Sequence, residues 1–380
     1  MVTPFKKQRE LFPTLSNTIH LSSCSQSAIS LPVKDAISSY LQSWTENGMD
    51  WNGWMDEVQH AKNEFARLIN AAPEEIAVLS SVSDAASAFA GALSFSTERN
   101  KVVTTDIDFP CVGHVWLSHK RRNAQVNFIP PEEDHSISFQ AYEQAIDSKT
   151  LVTSIPHVSY YNGYKQDLKL LSQLAHSHGS YLFVDAYQSA GSVSIDVKDS
   201  DVDVLVAGAQ KFLLGVPGIA FMYVKKELAN QLEPLTTGWF GRQNPFAFTN
   251  QILDYADVTR RFDTGTPPMI NAYAARAGIS LLNQIGIKPI EEYLNHLSGV
   301  CIETAQKHQL EIASPLDIER KGSNTAIRVK HASYLEQHLK SQRIIVAARN
   351  DVLRIAPHFY NTEDEIVKTV EAIAHALITK

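Results

Sequence analysis

Short apolar runs punctuate the first two thirds of the chain, and most are followed by a stretch with helical spacing. The runs are Glu75–Ser80, Lys101–Thr105, Gln125–Ile129, Leu151–Ile155, Tyr181–Asp185, Val202–Ala207 and Gly218–Val224. Runs of this length, rich in Val, Ile and Phe, predict strands buried on both faces of a sheet. Between two of them Leu168–Leu171, Leu174 and Ala175 recur at helical spacing, and Gly179 stands where such a helix would stop. Strand and helix in alternation predict an α/β fold built on a mostly parallel sheet of seven strands with helices on both faces. The last third reads differently. Asn271–Gln284 and Ile290–Gln306 predict two helices, Thr325–Val329 and Val352–Ile355 short strands, and Glu363–Leu377 an amphipathic helix behind the N-cap Thr362. We therefore expect a large α/β domain over residues 21–260, a smaller α+β domain over 261–380, and an N-terminal segment, 1–20, packing with the small domain.

Composition narrows the class. A 380-residue chain buries a sizeable core, and its net charge of −7 without a basic cluster argues against nucleic acid as the main partner. The sequence contains no apolar run of about 18 residues, the length a membrane-spanning helix needs. The first ten residues lack an apolar signal core, so a cytoplasmic location is expected. Cys24, Cys111 and Cys301 are odd in number and far apart, and the fourteen histidines show no ligand spacing. Neither a disulfide framework nor a metal site is predicted.

The chemistry gathers where open α/β sheets place it, beyond the carboxyl ends of strands. Lys211 follows the apolar run ending in Ala207, and a lysine there is either a strand-end surface charge or an amine engaged as a Schiff base. Asp185 ends its apolar run and needs a cation or strong donors; a cofactor's pyridinium nitrogen and a helix cap both satisfy it. Ser80, Ser81 and Ser83 precede a helical segment, Ala85–Leu93, where Ser83 is either a plain N-cap or part of a phosphate site.

Three segments, in order, then resemble class V aminotransferases, within the fold-type-I pyridoxal 5'-phosphate enzymes. They are Val184-Asp185-Ala186-Tyr187-Gln188 with Ala209-Gln210-Lys211-Phe212; Arg261-Phe262-Asp263-Thr264-Gly265-Thr266-Pro267; and Leu353-Arg354-Ile355-Ala356-Pro357 with Tyr360-Asn361. The resemblance implies that Lys211 holds the cofactor as a Schiff base and later moves the Cα proton. It places Asp185 on the pyridine nitrogen, Gln188 on the ring hydroxyl, and Ser83, the Val82 backbone and Gln210 on the phosphate. Gly265 and Thr266 would reach the phosphate of a neighbouring subunit, which makes a homodimer part of the expectation. Phe109 would stack on the ring, and Arg354 would clamp the carboxylate of an amino-acid substrate, unless it is a surface charge of the small domain.

Departures from the group also carry information. Cysteine desulfurases have a nucleophilic cysteine shortly before the carboxylate arginine, and Arg343–Asp351 has none. Cys301 is expected in the core and Cys111 to be structural beside Phe109, while Cys24 falls in a loop that can approach a substrate pocket. Tyr160 stands where desulfurases have asparagine, and Gln210 matches alanine–glyoxylate-type transaminases. Trp239 and Phe240 resemble the kynureninase and epimerase branch, as an aromatic wall across a dimer or as core. The expected activity is transamination, with a C–S or other β-lyase or an epimerase as alternatives, and a catalytically silent binding protein as the reading of another class. The sequence leaves the substrate's side chain open.

Overall fold

The protein is described here by a computed structural model covering residues 3–378. Seven strands form the main sheet: β1 (Ile76–Leu79), β2 (Lys101–Thr105), β3 (Gln125–Ile129), β4 (Thr150–Pro156), β5 (Tyr181–Asp185), β6 (Val204–Gly208) and β7 (Ala220–Val224). Their order is β1-β7-β6-β5-β4-β2-β3. Only β7 runs antiparallel to its neighbours, β1 and β6; the other pairs are parallel.

The runs are apolar throughout because alternate side chains feed two cores. Val103, Ile155, Val184 and Leu205 face one core, and Val102, Val152, Phe183 and Val204 the other. Helices α1 (Leu31–Asn47), α2 (Trp51–Leu68), α3 (Val82–Ala92), α4 (Pro110–Ser118) and α5 (Leu168–Ser177) precede or connect the strands. Phe65 of α2 and Leu171 of α5 enter the first core, while Phe89 of α3 and Trp116 of α4 enter the second. Helices thus cover both faces, as the strand pattern requires.

Two strands start two residues later than expected. The run from Val202 forms a strand only from Val204, because the Asp203 carboxylate accepts the Leu182 N–H at 2.7 Å and bonds His176 at 2.8 Å. The run from Gly218 becomes a strand at Ala220, since Gly218 sits at φ +94° in the preceding turn.

Beyond the sheet come α6 (Met269–Ile285) and α7 (Ile287–Lys307), then strand β8 (Thr325–Arg328) and α8 (Ala332–Ser341). Strands β9 (Ala347–Arg349) and β10 (Val352–Ile355) complete a small antiparallel sheet of order β9-β10-β8. The last helix, α9 (Glu363–Ile378), opens with a reciprocal cap. The Glu365 N–H meets Thr362 Oγ1 at 3.3 Å, and the Thr362 N–H meets Glu365 Oε2 at 3.0 Å. The N-terminal segment lies against this region: Ile19–His20 pairs in parallel with Ile344–Ile345, and Arg9 bridges Glu365 at 2.7 Å. Among the described residues no helix is long and apolar enough to cross a membrane.

Candidate active site

Strands β5 and β6 end side by side at the middle of the sheet, and a cavity of about 380 Å³ opens over them. Lys211 reaches it from the loop after β6, where the Gly215 N–H folds back onto the Ala209 carbonyl at 2.8 Å. Its Nζ lies 3.9 Å above the Tyr187 ring centroid and 5.7 Å from that of Phe109. Tyr187 packs so closely against β6 that a Cβ on Gly208 would fall 2.2 Å from the ring, so any larger residue there must push the ring aside. Burial pulls the Lys211 amine down to about 8, against the attraction of Asp185 and with the help of Arg354.

Asp185, at the end of β5, is buried, and its Oδ1 accepts the Tyr187 N–H at 2.8 Å. Burial raises its pKa, opposed by that N–H and by Lys211. Gln188 is also buried and donates from Nε2 to the Cys24 carbonyl at 3.0 Å, which ties the N-terminal loop to the cavity wall. Gln210 does the same to the Ser25 carbonyl at 3.3 Å.

The first turn of α3 borders the opposite side with Ser81, Val82 and Ser83. The cap is Ser81, whose Oγ accepts the Asp84 N–H at 3.1 Å, so of the two readings of Ser83 the plain N-cap falls away. The three serines are equivalent in propensity, and only the extended backbone at Ser81 decides between them. Ser83 instead projects from the first turn beside Cys111. A helix start with free N–H groups, backed by a hydroxyl, attracts an anion.

Arg354 on β10 is fully buried. Its Nη1 donates to the Tyr160 carbonyl at 2.9 Å, its Nη2 to Ser25 Oγ at 3.0 Å, and its Nε to the Ala347 carbonyl at 3.4 Å. It is thus no surface charge. Every one of these acceptors is neutral, so the guanidinium carries its full charge into the cavity. Phe109 and Tyr160 meet edge to face over the Lys211 side, with centroids 5.2 Å apart.

Three expected residues stand elsewhere in the single chain. Gly265 and Thr266 line a second cavity, about 250 Å³, beside the Lys62–Asp263 ion pair at 2.8 Å. Ser80 borders both cavities. Trp239 stacks within an aromatic group of Trp51, Phe240 and Phe248. Sequence reasoning missed Tyr187, Arg349 and Ser25, all on the wall of the Lys211 cavity. Cys111, expected to be only structural, also lines it, with burial raising its thiol pKa. Cys24 reaches the wall as its loop position allowed, and Cys301 lies in the core. Among the described residues no group of histidines, cysteines and carboxylates could hold a metal.

The arrangement joins an amine made nucleophilic by burial, a buried carboxylate in need of a cation, a helix start in need of an anion and a guanidinium in need of a carboxylate. Comparison with known proteins agrees. Residues 19–368 match the family described as aminotransferase class-V. The chain is 43% identical over 375 residues to the uncharacterized aminotransferase YcbU of Bacillus subtilis, covering 99% of both chains. It is 27% identical to a kynureninase of Deinococcus radiodurans, over 89% of this chain and 82% of that one. Its fold overlays the apo cysteine desulfurase of Thermococcus onnurineus with a TM-score of 0.90 at 21% identity, covering 100% of this chain and 99% of that one. This protein belongs to the aminotransferase class-V family, whose cofactor is pyridoxal 5'-phosphate.

Proposed function

We propose that the protein is an aminotransferase acting on an α-amino acid, with Lys211 as its catalytic residue. The observation that carries this reading is the meeting of Lys211 and Arg354 on one cavity, with the carboxylate of Asp185 buried behind it and close enough to attract the Lys211 charge. The residues present fit the cofactor. Asp185 suits a ring nitrogen, Gln188 a ring hydroxyl, Phe109 a ring face, and the Val82–Ser83 turn with Gln210 a phosphate. When bound, pyridoxal 5'-phosphate supplies an aldehyde that captures amines and a ring that spreads the charge left at Cα.

The chain's residues do the rest. Asp185 holds a proton on the ring nitrogen, and its buried position keeps that pairing free of water. Arg354 fixes the substrate carboxylate bidentately, which sets the direction of the Cα–H bond. With cofactor and substrate in place, Lys211 Nζ would take the Cα proton. A pKa near 8 leaves part of it neutral and basic at neutral pH. In this reading residues 21–260 form the large domain carrying Lys211, and 261–380, joined by 1–20, form the small domain carrying Arg354. A second copy contributes Gly265 and Thr266 to the phosphate site, and Trp239 to the outer wall.

Loss of a Cβ substituent is the second reading. It draws support from the kynureninase likeness and uses the same residues. One experiment separates the two. The cofactor-loaded protein is mixed with a panel of L-amino acids while its visible absorption is followed. Bleaching that a 2-oxo acid reverses supports transamination. Ammonia and a 2-oxo acid accumulating without bleaching establish elimination. Full activity in Lys211→Ala would sink the assignment of Lys211.

A further inference from the structure

A second guanidinium faces the same cavity. Strands β9 and β10 pair with Ala347 opposite Arg354 and Arg349 opposite Val352. Residues directly opposite, and residues two apart on one strand, share a face of the sheet. Arg349 and Arg354 therefore project from one face of the hairpin, and both line the Lys211 cavity. Arg349 Nε is buried without a hydrogen-bond acceptor. The acid nearest in sequence, Asp351, is turned away to Tyr161 at 2.7 Å and Arg328 at 3.2 Å. Among the described residues neither Arg349 nor Arg354 makes an ion pair. Both charges stand on one face of the same hairpin and border the same cavity, so a single ligand can meet both.

The two arginines are held differently. Arg354 is locked by three hydrogen bonds, which suits a group common to every substrate. Arg349 is half-buried on the cavity wall and carries no such bonds, so its charge is open to a group that varies between amino acids. We propose that Arg349 forms a second anion subsite and that the substrates are amino acids with an acidic side chain, the α-carboxylate on Arg354 and the distal acid group on Arg349. This rests on the aminotransferase reading for the orientation of the α-carboxylate, and the charge argument itself stands on the pocket alone.

Unreactive acids test it without turnover. Malonate, succinate and glutarate are titrated calorimetrically into the cofactor-loaded protein, beside acetate, propionate and butyrate. At least one diacid is expected to bind about tenfold or more tightly than its monoacid counterpart. Arg349→Gln should erase that preference and leave cofactor affinity unchanged, whereas Arg354→Gln should weaken both series. Equal binding of the two series by the native protein would overturn the proposal, as would an Arg349→Gln protein that loses both series alike or releases cofactor. A protein that prefers diacids yet turns over no amino acid would instead count against the aminotransferase reading.

Discussion

Lys321 offers a measurement of what a buried charge costs this fold. Its side chain is fully buried, and Nζ donates to Ser298 Oγ at 2.8 Å, the Gly322 carbonyl at 3.0 Å and Thr325 Oγ1 at 3.1 Å. None of these acceptors is charged. Burial lowers its pKa from 10.5 to about 7, with Cys301 opposing. That difference corresponds to roughly 5 kcal/mol against the charged form. Below pH 7 the amine is charged in both folded and unfolded chains, and the full penalty weighs on the fold. Between pH 7 and 10.5 the unfolded chain keeps the proton and the folded one does not, so stability rises with pH.

Replacing Lys321 by methionine removes the titration and three hydrogen bonds. The lost bonds are a fixed offset, while the charge penalty varies with pH. The unfolding free energy of the native protein minus that of Lys321→Met is therefore expected to increase by about 4 kcal/mol from pH 7 to pH 10. Urea unfolding followed by far-ultraviolet circular dichroism, both proteins in the same buffers, cancels the contribution of every other group. Curves that stay parallel to within about 1 kcal/mol would refute the reasoning and mean that Lys321 remains charged in the fold.

Arg354→Gln should weaken binding of α-carboxylate ligands by roughly a hundredfold or more, read as Kd by calorimetry, because a charge-assisted bidentate pair is lost. Asp185→Asn should lower turnover roughly 10- to 100-fold, since an amide cannot keep the ring nitrogen protonated; the check is the rate with saturating cofactor. Ser81→Ala should cost about 1 kcal/mol of stability through the lost cap on α3, whereas Ser83→Ala should leave urea stability unchanged and reduce cofactor affinity.

Much of this architecture was readable locally. The strand runs announce the sheet because each strand faces two cores, and that leaves no polar alternation to confuse the pattern. Asp185 and Lys211 are marked by the apolar residues before them. Arg349 was not, because its approach to the cavity depends on the register of β9 against β10, which no local spacing encodes. Tyr187 was hidden for a similar reason: its place under Lys211 follows from a glycine on a different strand, Gly208. Ser81 and Ser83 could not be told apart from composition, since the cap is chosen by the extended backbone at Ser81.

The joining of the two ends of the chain also governs when the site can exist. Thr3 bonds the Phe359 carbonyl across a separation of 356 residues, and Ile19 pairs with Ile344. A few residues further on, Ser25 meets the Arg354 guanidinium. During synthesis the segment made first must wait for the segment made last. The large sheet can fold while the ribosome is still working, but the Ser25–Arg354 contact cannot form until the C-terminal strands have emerged. Closing so long a loop is a slow step, and any nascent chain cut short before β10 has Lys211 without Arg354.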